Sequence, residues 1–74
     1  MPPLPALSGK QVRKAFETLG WNFVRQTGSH MILVRGGHPS TLSVPKHTTV
    51  AKGTLRSLIR SAGLTVEEFL DTAP

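Results

Sequence analysis

The spacing of the apolar residues changes character twice along this chain, and those changes constrain its fold more than any other feature. Near the start, four apolar residues recur at i, i+3, i+4 and i+7, as on one buried stripe of a helix: Val12, Ala15, Phe16 and Leu19. Ser8, with Gln11 three positions later, matches a capping box, which predicts that the helix starts there. Gly20 predicts its left-handed end.

After Gly20 the composition is typical of β-strands. Residues 21–27 are rich in aromatic and β-branched side chains, and residues 30–35 are a second strand candidate beyond a Gly-Ser turn. A Gly-Gly-His-Pro turn leads to residues 41–44, which alternate between polar and apolar side chains, and Pro45 is expected to end the pairing. This order predicts a three-stranded antiparallel meander.

The helical spacing then returns in a second set of apolar residues: Leu55, Leu58, Ile59 and Ala62. Gly63 supplies the expected end of this helix. Thr65 and Glu68 form a second capping-box pattern, which predicts a short final helix that ends at Asp71. The chain thus resolves into an α-β-β-β-α order with a small extra helix.

These elements predict an α+β fold of two layers, with the helices on one face of a three-stranded antiparallel sheet. The other face of the sheet is then open. Alternation along the second strand directs Met31 and Leu33 toward the helices, which leaves His30, Ile32 and Val34 on the open face. Such a face can serve a function, or a small fold can simply tolerate a few exposed apolar groups.

The length of 74 residues permits one domain with a thin core, and the absence of cysteine excludes disulfides as a support for it. Residues 1–7 hold three of the six prolines, so we expect a disordered Pro-rich tail there and a single domain over residues 8–72. The histidines and carboxylates lack metal-ligand spacing, and no metal or small-molecule cofactor is expected. With neither a signal-like start nor a long apolar run, we expect a cytoplasmic protein without membrane association.

Charge is the first indication of a partner. All nine lysines and arginines lie between Lys10 and Arg60, where Glu17 is the only acid, so nine positive charges and one negative charge leave +8. This segregation favours a polyanion such as RNA, because basic side chains that neutralise phosphates release counterions. A basic surface that serves only solubility is the alternative that charge alone leaves open.

The tripeptide Gly28-Ser29-His30 opens the second predicted strand with a histidine. Histidine ordinarily gains and loses a proton near neutral pH, which RNA cleavage without a metal requires. A base must deprotonate a 2′-hydroxyl, an acid must protonate the departing oxygen, and cations must stabilise the phosphorane. His30 is therefore a candidate catalytic residue, acting as base, acid or both; a structural histidine at a strand start is the alternative.

Val44-Pro45-Lys46-His47 lies at the exit of the last strand. Because Pro45 stiffens the chain there, Lys46 and His47 are presented on a loop. Two interpretations follow: a phosphate-binding edge in which Lys46 contacts RNA and His47 is a second proton carrier, or a polar linker without a direct role. His38, in the glycine-rich turn, is expected to face solvent and is assigned no role.

The start of the second main helix carries Lys52 and Arg56. A helix N-terminus attracts phosphate through its free N–H groups, and these two cations would add to that field, which makes both candidate RNA-binding residues. The intervening Gly53 does not belong to a phosphate-binding loop, since the further glycines and the GK[ST] order are missing. Close packing or the helix start is the simpler explanation for Gly53.

In combination these motifs resemble the HicA (YcfA-like) toxin family. The likeness rests on Gly20-Trp21, on Gly28-Ser29-His30, on Val44-Pro45-x-His47, and on the segment from Gly53 to Leu64 with Glu68-Phe69-Leu70. It spans Ser8 to Leu70, nearly the whole chain.

The resemblance implies a fold like that of double-stranded-RNA-binding domains, metal-independent cleavage of mRNA, and inhibition by a HicB-type antitoxin. The family's functional histidine corresponds to His30, next to Ser29 as a candidate RNA contact, and its second histidine corresponds to His47. Two further hypotheses stand beside the ribonuclease: a non-catalytic RNA-binding module, and a sheet face that docks a protein through Ile32 and Val34.

Overall fold

The structure, a computed structural model, describes residues 4–72. Within that range the chain forms three helices and three strands. The elements are α1 (Gly9–Thr18), β1 (Asn22–Thr27), β2 (His30–Val34), β3 (Leu42–Pro45), α2 (Lys52–Ser61) and α3 (Val66–Leu70). The strands form one antiparallel sheet with β2 in the middle. The predicted α+β architecture, with its short C-terminal helix, is confirmed.

Both predicted capping boxes are present. The backbone N–H of Gln11 donates to the Ser8 hydroxyl oxygen at 3.2 Å, and Gln11 Oε1 accepts from the Ser8 N–H at 2.9 Å. Thr65 and Glu68 make the same reciprocal pair at 3.1 and 2.8 Å. Each box satisfies two backbone donors that the first turn of a helix otherwise leaves unpaired, which explains where α1 and α3 begin.

A bulge in β1 resolves how two adjacent apolar residues fit one strand. Phe23 is paired with Leu33 and Arg25 with Ile32, so Val24 is an extra residue in the ladder. Phe23 packs against the core, whereas Val24 is 48% exposed. The bulge therefore directs Phe23 inward and leaves Arg25 on the face opposite the helices.

The two faces of β2 differ as the alternation predicted. Met31 and Leu33 are buried against the helices, while Ile32 and Val34 are half-buried on the other face and His30 is exposed. Since directly opposed residues of antiparallel strands share a face, the exposed partners of His30 and Ile32, which are Thr27, Arg25 and Ser43, also lie on the open side.

The core is organised around Phe16 of α1. Its ring lies 5.1 Å from the ring of Phe69 on α3 and 6.4 Å from that of Trp21, which precedes β1. All three side chains are at most 1% exposed. This contact joins the first helix to the last and explains why the short α3 packs stably on the domain.

The segment before α1 differs from the expectation of a disordered tail. Residues 1–3 lie outside the described residues, but Leu4 and Leu7 are buried in the core, at 3% and 4% exposure. The N–H of Val50 also donates to the carbonyl oxygen of Leu7 at 2.7 Å. Prolines favour an extended chain without preventing apolar side chains between them from packing, and here two leucines cover the core.

His38 also differs from its expectation of facing solvent. It is half-buried, and its ring lies 4.9 Å from the ring of Trp21. Its Nδ1 accepts a hydrogen bond from the backbone N–H of Ser40 at 3.1 Å. A histidine in a turn becomes structural here because the turn folds back over the edge of the core.

Candidate functional site

His30 is the first residue of the central strand and lies on the open face. It is exposed, and it is paired with Thr27 on β1 and with Pro45 on β3. The preceding turn is held by the Gln26 side-chain amide, which donates to the carbonyl oxygen of Gly28 at 3.0 Å. The imidazole is thus mounted between two paired strands, where its backbone is fixed while its side chain remains accessible.

Two backbone hydrogen bonds bring three distant segments together beside His30. The N–H of Lys46 donates to the carbonyl oxygen of Ser29 at 2.6 Å, and the N–H of Gly9 donates to that of His47 at 2.9 Å. The turn before β2, the exit of β3 and the start of α1 therefore meet at one end of the sheet. Ser29, Lys46 and His47 are all exposed there, so four of the sequence-predicted site residues are gathered in one place.

Gly9 is what allows α1 to start directly on the β3 exit. A Cβ at this position would overlap the carbonyl oxygen of Pro45 and lie 3.0 Å from Cα of Lys46. Both obstacles are backbone atoms, which cannot rotate away as a flexible side chain would. Sequence reasoning missed this residue, whose only signal is a glycine at the first position of a capped helix.

Arg25 is a second residue that sequence reasoning did not select. It is exposed and paired with Ile32, two residues beyond His30 on the same face of β2. That makes Arg25 a diagonal cross-strand neighbour of His30, a separation that a long side chain can span. The open face thus combines an imidazole with a guanidinium, the donor type that best matches a phosphate.

A basic groove lies at the same end of the sheet on the helix side. It is a cavity of about 370 Å³ between α1, the end of β1 and the exit of β3. It is lined by Lys10, Arg13, Lys14, Glu17, Gln26, Met31 and Lys46. We call it the α1 groove. Two of its lining residues, Gln26 and Lys46, also hold the turn that carries His30.

A family model described as the HicA toxin of bacterial toxin-antitoxin systems matches residues 9–64. The chain belongs to the HicA toxin family. The match begins at the glycine that packs α1 on the β3 exit and extends past α2, so it contains every site residue named above. The family resemblance drawn from the sequence motifs is confirmed, and membership makes this chain a toxin that functions with an antitoxin partner. No curated protein matches the chain significantly.

The structure separates Arg56 of this HicA toxin from the His30 group. Arg56 lines a cavity of about 380 Å³ between α2 and α3, together with Arg60 and Glu67. Among the described residues that line this cavity there is none of the four gathered at the β3 exit. Lys52 is the first residue of α2 and is exposed. The backbone hydrogen bond that joins Lys46 to Ser29 does not involve it.

Gly53 has no close neighbour that would explain it by packing. A Cβ there would meet no atom within 4 Å, in contrast to Gly9. Of the two explanations that the sequence offered for Gly53, close packing is excluded, and its position in the first turn of α2 agrees with the other, the helix start.

Neither a metal-binding cluster nor a membrane-spanning helix occurs in the part of this HicA toxin that the structure describes. Within residues 4–72, no three histidine, aspartate or glutamate side chains are grouped so that they could hold a metal ion. In the same part of the chain, every helix is too short or too polar to cross a membrane.

Proposed function

We propose that this HicA toxin is a metal-independent endoribonuclease that cleaves mRNA in the cytoplasm and is inhibited by a HicB-type antitoxin. The observation that carries the proposal is that His30 is exposed although its backbone is paired within the sheet, and that it lies beside the exposed Lys46 at the exit of β3. Family membership supports the toxin role, and the site chemistry supports RNA as the target.

The proposed reaction begins when His30 accepts the proton of a ribose 2′-hydroxyl. The resulting oxygen nucleophile attacks the adjacent phosphorus, the bond from phosphorus to the 5′-oxygen breaks, and a 2′,3′-cyclic phosphate forms. The departing 5′-oxygen takes a proton from an imidazolium, supplied by His30 in a second step or by His47. Histidine suits both steps because it exchanges protons near neutral pH.

Cations on both sides of His30 would stabilise the phosphorane. Arg25 approaches from β1 along the open face, and Lys46 follows the β3 exit that is bonded to Ser29. Preorganised positive charge at the reacting phosphate is commonly the largest contribution to such catalysis, because it needs no reorganisation during the reaction. Lys52 and Arg56 stay in the proposal as contacts to a more distant part of the RNA.

The test compares RNA cleavage by wild type and by His30→Ala with a chelator present. We expect cleavage by the wild type and its loss in the variant, with an unchanged circular dichroism spectrum, because the side chain is exposed. His38→Gln is a matched control that removes a histidine from the other end of the sheet and should retain cleavage. A folded His30→Ala protein that cleaves as fast as wild type would refute the catalytic assignment.

His47→Ala decides whether a second histidine carries a proton. If His47 is the general acid, its removal should reduce cleavage by about 10²–10⁴-fold, the usual contribution of one such group. A substrate with a better leaving group than a 5′-alkoxide should then restore much of the rate. Equal activity of His47→Ala and wild type would assign both proton transfers to His30.

A non-catalytic RNA-binding module is the second candidate, and the basic α1 groove favours it. That function predicts salt-sensitive RNA binding without product, and an affinity that His30→Ala leaves unchanged. Intact RNA after prolonged incubation with folded wild-type protein would decide for this candidate.

The antitoxin contact is proposed for the open sheet face. Ile32 and Val34 are half-buried there, on the same face of β2 as His30, so a protein that covered this face along the whole strand would also block the imidazole. We expect Ile32→Ser/Val34→Ser to weaken the complex with a HicB-type antitoxin in a titration, while isolated toxin remains folded. Unchanged affinity would exclude this face as the contact.

A further inference from the structure

The positive charge of the α1 groove is carried by residues that have no acidic partner. Arg13 is already engaged, since its Nε lies 3.5 Å from Glu17 Oε2 and its guanidinium carbon lies 3.9 Å from the centre of the Phe23 ring. Lys10, Lys14 and Lys46 form no ion pair with any residue in the range 4–72. The groove therefore presents three uncompensated lysines around an opening of about 370 Å³.

The placement of two of these lysines is unfavourable for the helix itself. Lys10 lies in the first turn of α1, where the helix dipole favours acidic side chains, and that turn contains no acid. Lys14 is four residues later, so two like charges repel on one face. Residues that break local rules without a structural gain are commonly retained for function. Along the helix axis the pair is separated by about 6 Å, comparable with successive phosphates of an extended strand.

The groove is also connected to the turn that carries His30. Gln26 and Lys46 both line the groove; the Gln26 side chain donates to the carbonyl oxygen of Gly28, and the backbone N–H of Lys46 donates to that of Ser29. A chain that passes from the open face around this end of the sheet would meet His30 first and the three lysines next. Met31 lines the groove but is only 2% exposed, and its sulfur already contacts Arg13 Nη1 at 4.0 Å, so the three lysines are the groups that a bound strand would contact.

We propose that the α1 groove binds the sugar-phosphate backbone of a single RNA strand beside the nucleotide at His30, with Lys10, Lys14 and Lys46 as its phosphate contacts. This inference rests on the proposed function and adds two residues of α1 to the RNA contacts. The competing occupant is an acidic segment of the antitoxin, which the experiment below separates from RNA.

The experiment measures the salt dependence of binding to a short unstructured single-stranded RNA, in a His30→Ala background so that the RNA stays intact. The groove variant is Lys10→Gln/Lys14→Gln. The matched control is Arg35→Gln/Arg60→Gln, which removes the same charge from exposed positions that do not line the groove. Each phosphate contact to a single strand contributes a slope of about −0.7 to log K against log salt.

We expect the groove variant to reduce the magnitude of that slope by about 1.4, and the control to change it by clearly less. An unchanged slope in the groove variant, or equal changes in both variants, would overturn the inference. So would a groove variant that loses affinity for the antitoxin while it binds RNA normally. The absence of any RNA binding in the His30→Ala background would overturn it as well.

The proposed function fails separately from this inference. If wild type does not cleave RNA but the groove variant still reduces the salt dependence of binding, RNA binding in the α1 groove is supported and the ribonuclease function is refuted. If wild type cleaves RNA and the groove variant has the same salt dependence as the control, the ribonuclease function is supported and RNA binding in the α1 groove is refuted.

Discussion

Gly9→Ala is expected to destabilise the domain, although glycine to alanine in a helix ordinarily stabilises. The added methyl group would overlap the carbonyl oxygen of Pro45 and lie 3.0 Å from Cα of Lys46. To relieve the overlap, α1 and the β3 exit must separate, which also weakens the 2.9 Å hydrogen bond from the Gly9 N–H to His47. The substitution thus tests directly whether the site is assembled by this close approach.

Three contributions determine the magnitude. Reduced freedom of the unfolded chain stabilises an alanine variant by about 0.4–1 kcal/mol. Overpacking against backbone costs about 1–3 kcal/mol, and loss of one hydrogen bond costs about 0.5–1.5 kcal/mol. The expected net loss of unfolding free energy is therefore about 0.5–4 kcal/mol. For a domain of this size, each kcal/mol corresponds to a decrease of about 4–8 °C in Tm.

The assay is thermal and urea unfolding of Gly9→Ala beside Gly53→Ala. Gly53 is a matched control, because it also lies in the first turn of a helix and a Cβ there would meet no atom within 4 Å. We expect a small stabilisation of the control and a clear destabilisation of Gly9→Ala, accompanied by reduced RNA cleavage in the folded protein. If Gly9→Ala is as stable as Gly53→Ala and equally active, the proposed close approach is wrong.

Three further substitutions test separate parts of the fold. Leu7→Ala should lower the free energy of unfolding in urea by about 2–5 kcal/mol, because the side chain is only 4% exposed. Pro5→Ala, at an exposed position, should change it little. Equally small effects of both substitutions would support a tail that does not pack on the domain. Ser8→Ala removes the cap of α1 and should cost about 1 kcal/mol, with an unaltered midpoint contradicting the capping assignment. His38→Ala should lower the free energy of unfolding by about 1–3 kcal/mol, because it removes the ring contact with Trp21 and the hydrogen bond from the Ser40 N–H. Thermal unfolding measures this loss. An unchanged Tm would mean that these contacts do not stabilise the domain.

The helices could be predicted from the sequence, with the end of α3 one residue earlier than the expected Asp71, because their determinants are local. A capping box spans four residues, and the apolar stripe of a helix repeats within that helix, so both can be recognised in the amino-acid sequence alone. The exposure of His30 was predictable for the same reason, since alternation within β2 needs only the burial of Met31 and Leu33. These features depend on residues that are close together along the chain.

The bulge at Val24 could not be predicted, because the register of β1 depends on its partner strand. Phe23 and Val24 are both apolar, and only pairing with Leu33 and Ile32 decides which of them turns inward. For the same reason, the sequence did not show that Arg25 is a neighbour of His30. Its face follows from the position of the bulge, which is a property of two strands together.

The amino-acid sequence by itself determined which segments form helices and strands, the family, and the exposed histidine. Only the tertiary structure decided that Ser29, Lys46 and Gly9 meet at one end of the sheet, that Leu7 covers the core, and that Lys10 faces a groove. The physical reason is chain separation. These contacts join residues far apart in sequence, and they form only once the sheet and both long helices have packed.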